Sequence, residues 1–102
     1  MKRVIAERKL NYSLKNEDRV RGLTILVFEP VLMENEQRQT MAACSVLYDG
    51  IDFDYPEIYG MDRLQALDLA LRAIDSNMEL LKEKYNFYFL DGDPYFEEDN
   101  KF

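Results

Sequence analysis

A chain of 102 residues, 47% of them hydrophobic, with only four glycines and three prolines, is long enough to bury one core and too apolar to be disordered. It has no histidine and one cysteine, which removes Ser-His-Asp and Cys-His nucleophile activation, the common zinc sites and any intramolecular disulfide. The net charge of −7 makes nucleic acid an unlikely partner, no apolar run is long enough for a membrane span, and MKRVIAERKL lacks the apolar stretch of a signal peptide, so one cytoplasmic domain over 1–102 is expected.

Residues 4–14, VIAERKLNYSL, put Val4, Ala6, Leu10, Tyr12 and Leu14 in one phase of a two-residue period, which predicts a strand with a charged outer side. KNED turns the chain into a second predicted strand, 19–33. There Leu23, Ile25 and Val27 share one face while Leu26 and Phe28 share the other, the pattern of a central strand. Pro30 cannot donate to a ladder, so a bulge, bend or break is expected near Glu29 and Pro30. ENEQRQ turns the chain again into a third strand, 39–48. Asp49-Gly50 then signals a two-residue hairpin into a fourth strand, 51–55. That register pairs Tyr48 with Ile51, Val46 with Phe53 and Cys44 with Tyr55, leaving Ser45, Leu47, Asp52 and Asp54 on a mostly polar face. Cys44, inside an apolar pattern, reads as a small core residue.

GMDRLQALDLALRAIDSNMELLKEKY predicts a helix over 62–85. Asp62 with Gln65 three residues later is a capping-box pattern, and Lys82, Lys84 and Asn86 suit the other end. Leu64, Leu67, Leu71, Ile74, Met78, Leu81 and Tyr85 form a stripe expected to lie on the Cys44–Tyr55 face. Ala66, Leu69, Ala70, Ala73 and Leu80 add a shoulder that widens the apolar arc to roughly 220°, where a one-sided helix shows about 100° or somewhat more. Two covers for it are open: a second molecule meeting Ala66, Leu69, Ala73 and Leu80, or this chain's own Phe87, Phe89, Tyr95 and Phe96. NFYFL, 86–90, reads as a short strand, and 91–102 as an acidic tail. The expected fold class is α+β: a four-stranded antiparallel meander packed by one long helix, with a short C-terminal strand.

Charge is unevenly spread. Residues 1–21 carry seven basic against three acidic side chains, and the remaining residues six against seventeen. A bipolar surface meeting a basic protein partner is one reading, and a basic hairpin answered by acidic strands within the fold is the other. The basic strands also raise RNA binding as a minor possibility. Asp52, Asp54, Asp91 and Asp93 are the residues that could hold Mg²⁺ or Ca²⁺ or act as paired carboxylates, yet DGIDFDYPE lacks the ligand order of an EF-hand. Scattered glycines offer no phosphate loop. No catalytic residue, cofactor or metal is therefore expected. The leading expectation is a non-enzymatic interaction domain, a homodimer of immunity or accessory type, and a small carboxylate or Mg²⁺-dependent enzyme is the alternative.

The blocks GMDRLQALDLALRAI and FLDGDPYF resemble a family of small bacterial domains that share a GxDxxQALxLALxxI helix start and have no assigned activity. The resemblance covers roughly residues 44–96 and matches at Gly60, Asp62, Gln65, Ala66 and Leu67. It implies a bacterial cytoplasmic fold and carries no catalytic role.

Overall fold

In a computed structural model, which describes residues 2–96, the alternation at the start of the chain becomes β1 (Val4–Leu14). It pairs antiparallel with β2 (Arg21–Phe28), from Val4↔Phe28 to Tyr12↔Arg21, with a register shift between Val4 and Ala6. The stretch expected as a strand over 19–33 is broken at Glu29 and Pro30, the site of the expected bulge, bend or break. β2 stops at Phe28, and Val31–Glu34 forms a separate strand, β3. The expected strand over 39–48 is likewise cut at Ser45 into β4 (Thr40–Cys44) and β5 (Val46–Asp49). The two cuts lie side by side: Phe28 N–H donates to the Ser45 carbonyl at 3.0 Å, and the Cys44 thiol approaches the Phe28 carbonyl at 3.4 Å. A long hairpin is thus bent at one corner, with β2 and β5 paired on one side and β3 and β4 on the other. Pro30, which has no N–H to give a ladder, sits beside the bend.

The expected Asp49-Gly50 hairpin into a strand over 51–55 is overturned. Gly50 does adopt a left-handed φ of 103°. Beyond it, residues 51–57 are bends and irregular chain. A ladder through this stretch would soon meet Pro56, and Tyr12 ties the turn instead by donating its hydroxyl to the Gly50 carbonyl at 2.6 Å. The real partners are Ile25 for Tyr48, Val27 for Val46 and Ile58 for Cys44, the last through β6 (Ile58–Gly60). Phe53 still reaches inward, its ring edge-on to Tyr48 at 5.0 Å.

The helix α1 spans Arg63–Leu81, shorter at its end than expected. Asp62 caps it by accepting from Gln65 N–H at 2.7 Å, and the Gln65 side chain accepts from Met61 N–H at 2.6 Å. Residues 82–84 turn, and Tyr85–Tyr88 is β7, so Tyr85 faces the core from a strand and Asn86 does not close the helix. The Lys84 carbonyl accepts from Lys15 N–H at 3.1 Å, drawing the chain onto β1. Among the described residues the four-stranded meander is therefore corrected to seven strands in two antiparallel sheets, ordered β5-β2-β1-β7 and β3-β4-β6, with one helix. The strand expected at 86–90 is β7, shifted by one residue at its start. The tail beyond Phe96 lies outside the described residues.

The helix rests on part of its expected stripe, Ile74, Met78 and Leu81 with Leu67 at the margin, and is turned from it toward the alanines of the shoulder. Ala66, Ala70, Ile74, Asn77, Met78 and Leu81 are buried, while Leu64 and Leu71 are exposed. Gly60 explains the rotation: a Cβ there would come within 2.5 Å of the Ala66 nitrogen, so β6 and the first turn touch backbone to backbone. Such contact needs glycine on one side and alanine on the other. One core cluster then draws Leu10, Ile25 and Phe87 from the larger sheet, Ala42 and Cys44 from the smaller, and Ile74 and Met78 from α1. Among the described residues no helix is long and apolar enough to cross a membrane.

Candidate functional site

The smaller sheet has two faces of different fate. Leu32, Ala42 and Gly60 share a row, and since Gly60 faces Ala66 this row is turned toward the helix. Side chains alternate across a strand, so Val31, Met33, Met41, Ala43 and Tyr59 point away from the helix. Those five side chains are uncharged, but at one end the face borders a charged pair: the Tyr59 hydroxyl lies 3.3 Å from Glu57 Oε1, and Lys2 pairs with Glu57 at 2.8 Å. Val31 is 47% exposed, Met33 40% and Tyr59 49%, and Ala43 lies on the floor between Val31 and Tyr59 in one row. An antiparallel sheet with one packed face ordinarily presents polar residues on the other. At the β6 end this face opens into a shallow cavity of about 660 Å³, walled by Met41, Tyr59, Met61 and Gln65.

The face ends at an uncovered edge. Among the described residues β3 pairs only with β4, and all four of its residues are exposed. The hairpin turn fixes which groups point outward: Asn35 N–H donates to the Gln39 carbonyl at 3.0 Å, while Arg38, with φ 61°, donates back to the Asn35 carbonyl at 2.9 Å. Hydrogen-bonded pairs alternate from there, so Met33↔Met41 and Val31↔Ala43 bond within the hairpin. The N–H and C=O of Leu32 and Glu34 then face outward.

The helix-shoulder residues are scattered by the rotation of α1. Ala66 is fully buried in the chain's own core, Ala73 is half-buried, and Leu69 and Leu80 are 39% and 64% exposed. The aromatics offered as an internal cover divide too: Phe87 and Phe96 join the core, Tyr95 packs at its margin, and Phe89 stays partly exposed. Leu71 borders a groove of about 290 Å³ with Ala6, Ile25, Val27 and Ile74. Arg8 on its rim is engaged by the Tyr95 hydroxyl at 2.9 Å.

Asp52 and Asp54 lie on the irregular segment after Gly50, and Asp91 and Asp93 on the turn after β7, where Asp91 accepts from Asp93 N–H at 2.9 Å. Among the described residues no three acidic or cysteine side chains converge to hold a metal ion. Two of the seven basic residues of the first 21 pair with carboxylates of the fold: Lys2 with Glu57 at 2.8 Å, and Arg3 with Glu29 at 3.9 Å.

The most organised polar cluster sits at the corner of the bent hairpin. Lys2 Nζ donates to Ser45 Oγ at 2.5 Å and to Glu57 Oε2 at 2.8 Å, Ser45 donates to Glu57 Oε2 at 2.9 Å, and Tyr59 OH reaches Glu57 Oε1 at 3.3 Å. The hydrogen bond from Lys2, then that from Ser45, holds the Glu57 carboxyl below the ordinary carboxylate range. A carboxylate so stabilised is a poor base for Ser45, and the cluster works as a latch between the start of β1, the Ser45 break and the approach to β6. Burial, and then the Glu57 charge, pushes the Cys44 thiol up, which keeps it protonated and unreactive in the core.

Comparison of the chain with protein-family models, curated proteins and solved structures finds no match in any of the three. Function is therefore argued from geometry. The residues that sequence reasoning missed are Val31, Met33, Met41 and Tyr59. Their signal was present as alternation at 31, 33 and 41, 43, but reading 19–33 as one central strand assigned both of its faces to the interior.

Proposed function

We propose that this chain is a non-enzymatic protein-interaction domain, of immunity or accessory type, whose contact surface is the outer face of the β3-β4-β6 sheet. The observation that carries the reading is an apolar sheet face of exposed Val31, Met33 and Tyr59 with half-buried Met41, bordered by the Lys2–Glu57 pair at one end and continuing to an edge that no other described strand covers. Contiguous apolar surface of this kind marks interaction sites, whereas scattered exposed leucines do not. Tyr and Met are also the residue types enriched where proteins meet. Leu69 and Leu80 on α1, with the half-buried Ala73, offer a second, smaller strip. The balance of −7 favours a basic partner wherever the rim takes part. The likeness of the Gly60–Leu67 block to small bacterial domains is compatible with this reading and adds no residue role.

The test is a photo-crosslinking residue placed at Tyr59, with Asp75 on the polar side of α1 as the control position, in cells that express the chain. Discrete protein adducts at 59 and none at 75 are expected, lost on Met33→Asp. Equal labelling at both positions, or none at 59, sinks the proposal.

A further inference from the structure

The free edge of β3 is the most unusual feature of this surface, because edge strands are ordinarily blunted by lysine, an inward charge, a bulge or proline. Val31, Leu32 and Met33 run consecutively along it, and such devices stand at its two ends, Pro30 just before the strand and Glu34 as its last residue. We infer that β3 pairs with β3 of a second copy, antiparallel about a two-fold axis at Met33, making one six-stranded sheet. This rests on the interaction reading above and names its partner.

Two observations favour a second copy. The outward groups of β3 are the N–H and C=O of Leu32 and Glu34, and an identical antiparallel strand meets them in the reverse order with none left unmatched. In the register centred on Met33, Glu34 opposes Leu32 of the other copy, so no like charges face each other, whereas a register centred on Glu34 would set two carboxylates together. Met33 then opposes Met33 in a non-hydrogen-bonded pair, where side chains come closest, and the two apolar faces become continuous.

Sedimentation velocity from low to high micromolar concentration is the first measurement. Wild type should move from the 12.1 kDa monomer toward twice that mass. Leu32→Pro removes an outward N–H that β4 does not use and should hold the chain at monomer mass with its melting temperature little changed. Should that variant fold poorly, Met33→Cys serves: mild oxidation should give a disulfide-linked dimer rapidly, and Val31→Cys, placed off the axis, should not. A wild type that stays monomeric throughout overturns the inference; if crosslinking at Tyr59 persists, the interaction reading stands with another partner. A dimer indifferent to Leu32→Pro and to the position of the cysteine places the contact elsewhere and overturns the β3 seam.

Discussion

Two contacts between single residues tie parts of the chain that lie far apart in sequence. Asn77, only 6% exposed, donates its side-chain amide to the Tyr48 hydroxyl at 2.9 Å, joining α1 to β5 across the core. Neither group has water to fall back on. Tyr48→Phe leaves the Asn77 amide unpaired, and Asn77→Leu leaves the hydroxyl unpaired, so each should cost about 1–3 kcal/mol. The double variant should cost less than the two single costs added, because both polar groups are gone, and urea denaturation of the four proteins measures that coupling. Burial also pushes the Tyr48 hydroxyl up, so it remains a neutral partner at ordinary pH. Glu57 gives a pH dependence of known sign. Its folded pKa lies below the unfolded value, so its contribution is fully present above the unfolded carboxylate pKa and is lost as pH falls through the folded one. Melting temperature followed from neutral to acid pH should drop less steeply in Glu57→Gln than in wild type. Identical slopes would mean that the latch adds nothing to stability.

At the level of elements, the backbone contact between β6 and α1 decides how the helix lies. Gly60→Ala must push a Cβ into the Ala66 backbone, which cannot rotate away as a side chain could. A loss of about 1–3 kcal/mol or more is expected by thermal or urea denaturation. Gly22→Ala is the control: a Cβ there meets nothing within 4 Å and should change stability little. The same contact shows what the sequence made legible. The helix start and its cap, Asp62 with Gln65, were readable because capping is local chemistry. β1 and the central place of β2 were readable from a two-residue period. The rotation of α1 was not, since hydrophobic periodicity ranks leucine above alanine whereas close packing against Gly60 selects the smaller side chain. Of the corner, the break after Phe28 was legible and the one at Ser45 was not. Pro30 announced a disturbance, but nothing local at Ser45 did, and the break there follows from pairing with a strand already bent. The candidate surface was lost with it, because a strand assumed to be central has no outer face.

For the whole molecule, charge and apolar surface point to different partners, and salt separates them. Two copies that each carry −7 repel one another at any distance shorter than a few screening lengths. The seam proposed at β3 is apolar along Val31, Leu32 and Met33, so salt has little attraction there to weaken and much repulsion around it to screen. Self-association should therefore tighten as sodium chloride rises from low to moderate concentration. A basic protein drawn to the acidic part of the surface must behave in the opposite way, its association slowing and weakening over the same range. Both can hold for one chain, since the β3 edge and the acidic residues after Gly50 are separate parts of the structure. The decisive measurement is the dimer dissociation constant at two salt concentrations for wild type and Glu34→Gln. Removing a carboxylate beside the seam should strengthen the dimer chiefly at low salt. A dimer that falls apart as salt is raised would show that opposite charges, not the apolar edge, hold the copies together.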